Sequence, residues 1–223
     1  MSYENIEVIE TVLKKTKRYI ENPQIEQTLL ADVITQTGRK TVTVVDFGGA
    51  CGIHYFMCRN AVNRGVKLKW KVIETPETVR RAAELGNAEL SFIDSIPETA
   101  RRIDILHCSG SLQCTEKPIE TLAKLILLNP EIIVLSRLGL NRGENTVTTQ
   151  HRSFVDWHGR GRLSESNGNE VIYPLTFAPE KQFLDLITDS GYEITQRIED
   201  NSGVISVRRT AIVGYGLVCK RIS

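Results

Sequence analysis

The chain has 223 residues, with 28 Lys+Arg against 27 Asp+Glu and a formal net charge of +1. That balance lacks the basic excess of a nucleic-acid footprint, and the length suits one domain that buries roughly 70% of its unfolded surface. No apolar run approaches the ~18 residues of a membrane span, and the polar N-terminus is not that of a signal peptide.

The five cysteines, Cys51, Cys58, Cys108, Cys114 and Cys219, form no C-x-x-C pair. They read as free thiols in a reducing cytoplasm, not as a disulfide framework or a zinc site. Arg80-Arg81, Arg101-Arg102 and Arg208-Arg209 read as short solvated faces.

Residues 4–20 read as an amphipathic helix with Ile6, Ile9, Val12, Leu13 and Ile20 on one stripe. Asn22-Pro23 breaks it, and a second helix covers 24–36 up to Gly38. Residues 1–40 are thus expected to form a helical cap on a domain spanning 41–223. A first strand at 42–46 is continuous and β-branched, as a parallel strand covered on both faces should be. A helix over 53–64 follows, then a strand at 68–73, a helix at 76–85 with Pro76 in its first turn, and a short strand at 89–93.

A fourth strand is expected at 103–108, a helix from Pro118 to about 127, and a fifth strand at 131–135. Residues 137–172 are polar, Gly-rich and poorly periodic, the pattern of a lid or binding loop. A last helix at 179–190 precedes two strands, Tyr192–Ile198 and Thr210–Arg221, joined by a turn around Asn201-Ser202-Gly203. With no helix between them these two must pair antiparallel. The alternation predicts an α/β fold: a seven-stranded, mostly parallel sheet with a terminal antiparallel hairpin and helices on both faces. That is the Rossmann-like sheet of class I methyltransferases.

The most informative segment is Asp46-Phe47-Gly48-Gly49-Ala50-Cys51-Gly52. It closes the first strand with an acid and turns through glycines into a helix, where nucleotide-like ligands sit in such folds. Asp46 would repel a pyrophosphate, and neither G-x-G-x-x-G nor G-K-[ST] is present. S-adenosylmethionine carries a sulfonium and an ammonium and no phosphate, so it is the cofactor these residues favour. Asp46, Gly48, Gly49 and Gly52 are the expected turn contacts. Glu74, closing the second strand, suits the two ribose hydroxyls. Asp94 and Ser95, closing the third, suit a helix cap, while the resemblance to class I methyltransferases, where an acid at this place often accepts from the adenine amino group, implies the adenine edge. Ser109-Gly110, closing the fourth, suit the methionine half.

Histidine serves as a general base near neutral pH. His151, with Gln150 beside it, is the first candidate to deprotonate an acceptor; His54, opening the first helix beside the glycine turn, is the other histidine counted with the catalytic residues, expected to orient the cofactor carboxylate or to pack under the turn. His107 reads as a strand residue. The histidines share no metal-ligand spacing, so no metal is expected. Gln113, in a segment that resembles the methyltransferase-like family, is expected to face an acceptor. Arg142, Arg152, Arg160 and Arg162, with Phe154 and Trp157, would suit an acidic or phosphorylated sugar.

Several segments in order resemble a family of uncharacterised methyltransferase-like proteins often encoded among bacterial surface-polysaccharide genes. They are Val45-Asp46-Phe47-Gly48-Gly49 with Gly52 and His54-Tyr55-Phe56; Trp70-Lys71-Val72-Ile73-Glu74-Thr75-Pro76; Phe92-Ile93-Asp94-Ser95; Ser109-Gly110-Ser111-Leu112-Gln113; Thr148-Thr149-Gln150; and Tyr173-Pro174 with Phe177. The similarity covers about residues 42–200. It implies S-adenosylmethionine-dependent methylation of a small-molecule acceptor, with an oxygen of a sugar, nucleotide sugar or polysaccharide precursor expected. A cofactor-binding scaffold without catalysis and a nicotinamide-dependent oxidoreductase are the competing readings. Oligomeric state is not legible in the sequence.

Overall fold

The computed structural model describes residues 4–97, 103–163, 168–207 and 210–222. Arg101-Arg102, Arg208-Arg209 and residues 164–167 of the expected lid lie outside the described residues. The chain divides into two compact units, residues 1–95 with 151–173, and residues 96–150 with 174–223.

The first unit opens with α1 (Ile6–Glu21) and α2 (Leu29–Gln36). Asn5 caps α1 by accepting from the Glu7 and Val8 amides. Thr28 caps α2 through the Ala31 amide, which is why α2 starts later than the expected residue 24. Three parallel strands follow: β1 (Thr41–Phe47), β2 (Lys67–Ile73) and β3 (Leu90–Ile93), with α3 (Ile53–Ala61) and α4 (Pro76–Ala82) between them. Val42, Val44, Leu68, Trp70, Val72 and Leu90 form the core of this unit.

The buried stripe of α1 differs from the expected one. Ile6 and Ile20 are 50% and 39% exposed, whereas Val8, Ile9, Val12, Lys15, Thr16 and Tyr19 are buried. Lys15 tolerates burial because its Nζ donates to the carbonyls of Asp156 at 2.5 Å and His158 at 2.8 Å. That anchors α1 on the turn Val155–Trp157 and rotates the helix away from the stripe that side-chain type alone suggests.

The second unit carries β4 (Ile105–Ser109), α5 (Pro118–Ile126), β5 (Ile132–Asn141), α6 (Glu180–Asp189), β8 (Tyr192–Val207) and β9 (Thr210–Arg221). β4 and β5 are parallel, and β9 pairs antiparallel with both β5 and β8. β5 runs past the expected end at residue 135 because a bulge carries it on. Two residues, Ser136 and Arg137, lie between its pairs Leu135↔Leu217 and Leu138↔Tyr215, against one residue on β9. The expected turn at Asn201-Ser202-Gly203 instead falls inside β8, at a register shift between Asp200 and Ile205.

β6 (Val147–Phe154) and β7 (Glu170–Phe177) pair as a separate two-stranded sheet. They occupy part of the segment read as irregular. Ser153 is the only fully buried position of β6, so there was no apolar alternation to read. The main sheet has seven strands in the order β3-β2-β1-β4-β5-β9-β8. This is the Rossmann-like arrangement expected, mostly parallel with an antiparallel end and helices on both faces. No helix of the described residues is long and apolar enough to cross a membrane.

Candidate functional site

In the first unit the carboxyl ends of β1, β2 and β3 carry the glycine turn, Glu74, Asp94 and Ser95. The turn takes left-handed backbone at Gly48, Ala50 and Gly52, with φ of 68°, 50° and 78°. Ala50 carries a Cβ in that region, a strain of about 1–2 kcal/mol. Two bonds hold it: Gly48 donates its amide to the Ile73 carbonyl at 2.9 Å, and Ala50 donates to Glu74 Oε1 at 2.9 Å.

Asp46 sits inside this turn and is 0% exposed. Its Oδ2 lies 3.1 Å from Nδ1 of His54 and 3.4 Å from the Trp70 indole nitrogen. A Cβ at Gly49 would fall 2.6 Å from Asp46 Cγ, and one at Gly52 would meet Leu90 at 3.1 Å. Internal packing thus explains both glycines, and His54 braces the turn through Asp46.

Glu74 is half-buried, and both carboxylate oxygens are engaged. Oε1 accepts from Ala50 and Oε2 from the Thr75 amide at 3.0 Å. Burial raises its pKa, an effect partly offset by these two amides and reinforced by the Asp46 charge. Each oxygen keeps a second lone pair, so the carboxylate can still accept two hydroxyls from a vicinal diol. The group therefore fits the ribose of the expected cofactor. Asp94 and Ser95 are exposed just beyond β3.

An apolar cluster lies against the turn. Val8 and Val12 of α1 pack with Cys51, Ala82, Val155 and Val171, and Ala50, Phe92 and Tyr173 join its edge. Burial pushes the Cys51 thiol up to about 12, so it is a small packing residue here, not a nucleophile. All five cysteines are free thiols.

Tyr173 links this cluster to two histidines. Its ring centroid lies 5.2 Å from that of His151 and 5.6 Å from that of His158, both edge-on. His151 is exposed, with one face of its environment set by Tyr173. The His158 pKa is lowered by burial first, then by the charges of Lys15 and His151. Its Nε2 is buried with no hydrogen-bond partner among the described residues. Gln150 is exposed on β6. The structure therefore brings His54, Asp46 and Glu74 together at the turn, and His151 to the cluster that covers it.

In the second unit, Ser109 and Gly110 close β4, as expected. Gly110 has a φ of 66° and its amide is bonded to the Ser136 carbonyl at 2.9 Å. Ser109 is buried, and its side chain and carbonyl both accept from Arg137. His107 is 3% exposed and approaches Ser136 Oγ at 3.5 Å.

Sequence reasoning assigned no role to Arg137, Tyr173 or Lys15. A polar Ser136-Arg137 pair interrupting an apolar strand was the one available signal for Arg137. Lys15 had none, because a lysine on a helix reads as solvated.

No protein-family model matches the chain, and no curated protein matches it. Its fold is similar to that of several solved structures. One is the N-terminal domain of EvdMO1 with S-adenosylhomocysteine bound (TM-score 0.55, 12% identity, 94% of this chain and 97% of that one). A second is S-adenosylmethionine-bound CalS10, an amino pentose methyltransferase from Micromonospora echinaspora (TM-score 0.53, 13% identity, 86% and 89%). A third is the [4+2]-cyclase SpnF (TM-score 0.53, 11% identity, 99% and 96%). At these identities the likeness establishes the fold, the one that S-adenosylmethionine-dependent methyltransferases use.

Proposed function

We propose that the chain is an S-adenosylmethionine-dependent methyltransferase acting on a small-molecule acceptor, with O-methylation of a sugar or polysaccharide precursor as the reaction. The observation that carries this reading is Glu74. Its carboxylate is fixed by the Ala50 amide at 2.9 Å, at the carboxyl end of β2, with lone pairs left for a diol. The structural neighbours support it, since one is described as an amino pentose methyltransferase and another was crystallised in the presence of D-fucose.

When bound, the cofactor supplies a methyl group activated by a sulfonium. Glu74 would hold the ribose, the Gly48–Gly52 turn the methionine half, and Asp94 with Ser95 the adenine edge. The apolar cover from α1 and Val155, Val171 and Tyr173 would exclude water. An alcohol is a weak nucleophile until its proton leaves. A ring nitrogen of His151 would take that proton as the oxygen attacks, with Tyr173 fixing the ring and Gln150 binding a neighbouring hydroxyl.

A second reading, the same fold without methyl transfer, is favoured by the likeness to a [4+2]-cyclase over 99% of this chain. Methyl-labelled S-adenosylmethionine with a panel of nucleotide sugars separates the two. The proposal expects label on one sugar and a turnover loss in His151→Ala with cofactor affinity intact. Cofactor binding with no label on any acceptor favours the second reading.

A further inference from the structure

Arg137 stands at the carboxyl end of β4, one residue past the Ser109↔Ser136 pair that ends the β4–β5 pairing. Ligands of open α/β sheets bind at that edge. Its backbone lies in the left-handed region, φ 50°, at the bulge of β5. A bulky residue there is strained, and bulges re-aim side chains beside functional sites.

The guanidinium is held on one edge only. Nε donates to Ser109 Oγ at 3.1 Å, and Nη2 to the Ser109 carbonyl at 3.2 Å. The Arg137 carbonyl is gripped by Gln113 Nε2 at 3.0 Å. This contrasts with Arg59, Arg81, Arg142, Arg152, Arg160 and Arg197, each paired with a glutamate. Arg137 has no carboxylate partner among the described residues.

The charge is thus oriented but not neutralised. The edge formed by Nη1 and the second Nη2 proton is the one that binds carboxylate or phosphate in a fork. Gln113 Oε1 is also buried with no donor among the described residues, an acceptor that a hydroxyl of the same ligand would fill and its anion would not. No such pressure keeps an exposed arginine in left-handed backbone when it only solvates a surface.

We infer that Arg137, aimed by Ser109 and Gln113, is an anion seat for a carboxylate or phosphate on the acceptor. The inference rests on the methyl-transfer reading and narrows its substrate to acidic or phosphorylated sugars, nucleotide sugars included.

The test is NMR of the arginine Nε–Hε signals while inorganic phosphate is titrated against chloride at constant ionic strength. Arg137→Gly is the control, and it should fold because glycine adopts a φ near 50° without strain. A saturable shift of the Arg137 signal is expected in the parent, and the accompanying shift of the Gln113 side-chain amide signals should be lost in Arg137→Gly and weakened in Arg137→Lys. No saturable response of the parent overturns the seat. Calorimetry with S-adenosylhomocysteine and with 5′-methylthioadenosine, which lacks the amino-acid carboxylate, separates the two sources of the anion. Equal affinities in parent and Arg137→Gly support an acceptor anion. A tenfold or greater loss for S-adenosylhomocysteine alone assigns the seat to the cofactor carboxylate and overturns the acceptor assignment. A parent that takes phosphate but ignores S-adenosylhomocysteine supports the seat and overturns the methyl-transfer reading.

Discussion

Replacing Gly49 by alanine places a methyl group against the Asp46 carboxylate, with the new Cβ 2.6 Å from Asp46 Cγ. Asp46 is 0% exposed and cannot swing into solvent. To clear the methyl it must give up its approaches to His54 at 3.1 Å and Trp70 at 3.4 Å, or the turn must shift. Hydrogen bonds to a charged group contribute about 1.5–3 kcal/mol each. The second of these is long, so the expected destabilisation is about 3–5 kcal/mol. At ~2–4 °C per kcal/mol for a chain of this size, the melting temperature should fall by about 6–20 °C.

Circular-dichroism melts and denaturant titrations would measure it. The decisive comparison is the double-mutant cycle with Asp46→Ala, which removes the carboxylate. In that background Gly49→Ala should cost under about 1 kcal/mol. A loss under about 1 kcal/mol in the parent, or equal losses in both backgrounds, would refute the packing account of Gly49.

Four other outcomes are expected. Ala50→Gly relieves left-handed strain of about 1–2 kcal/mol against an entropy cost of about 0.5–1 kcal/mol, so stability should hold or rise slightly; a loss above about 1 kcal/mol contradicts it. Glu74→Gln replaces an acceptor by a donor and should weaken S-adenosylhomocysteine at least tenfold by calorimetry, with unchanged affinity counting against the ribose role. The parent's affinity should also fall with acidification through the Glu74 pKa, which burial holds above the ordinary 4.5, while the Gln variant shows no such fall. The depressed His158 pKa means that the native state binds fewer protons than the unfolded chain. Stability present above the ordinary 6.5 is therefore lost as pH falls through the depressed value. His158→Gln should flatten that loss, and a parent equally stable at about pH 7 and pH 5 would show the reasoning wrong.

The parallel strands were legible because largely buried apolar and β-branched runs such as Val42–Val45 and Ile132–Leu135 leave few alternatives. Helix starts depended on single caps, and Thr28 shows how one side chain moves a boundary by several residues. β6 was invisible because polar residues fill it, and the β8 irregularity took the Asn-Ser-Gly that reads as a turn. At the site, the glycine motif marked the right place for a different reason. Gly49 and Gly52 answer to Asp46 and Leu90 inside the protein, not to a ligand alone. Arg137 escaped notice because its significance lies in a bulge and a backbone angle, and neither has a residue signature.

The central claim is that the turn and Glu74 form a site for S-adenosylmethionine. Isothermal calorimetry of the purified chain with S-adenosylmethionine and S-adenosylhomocysteine tests it most directly. The account predicts one-to-one binding of both in the micromolar range, lost in Glu74→Ala while the melting curve stays cooperative. Binding of neither ligand, or binding indifferent to Glu74, would contradict it.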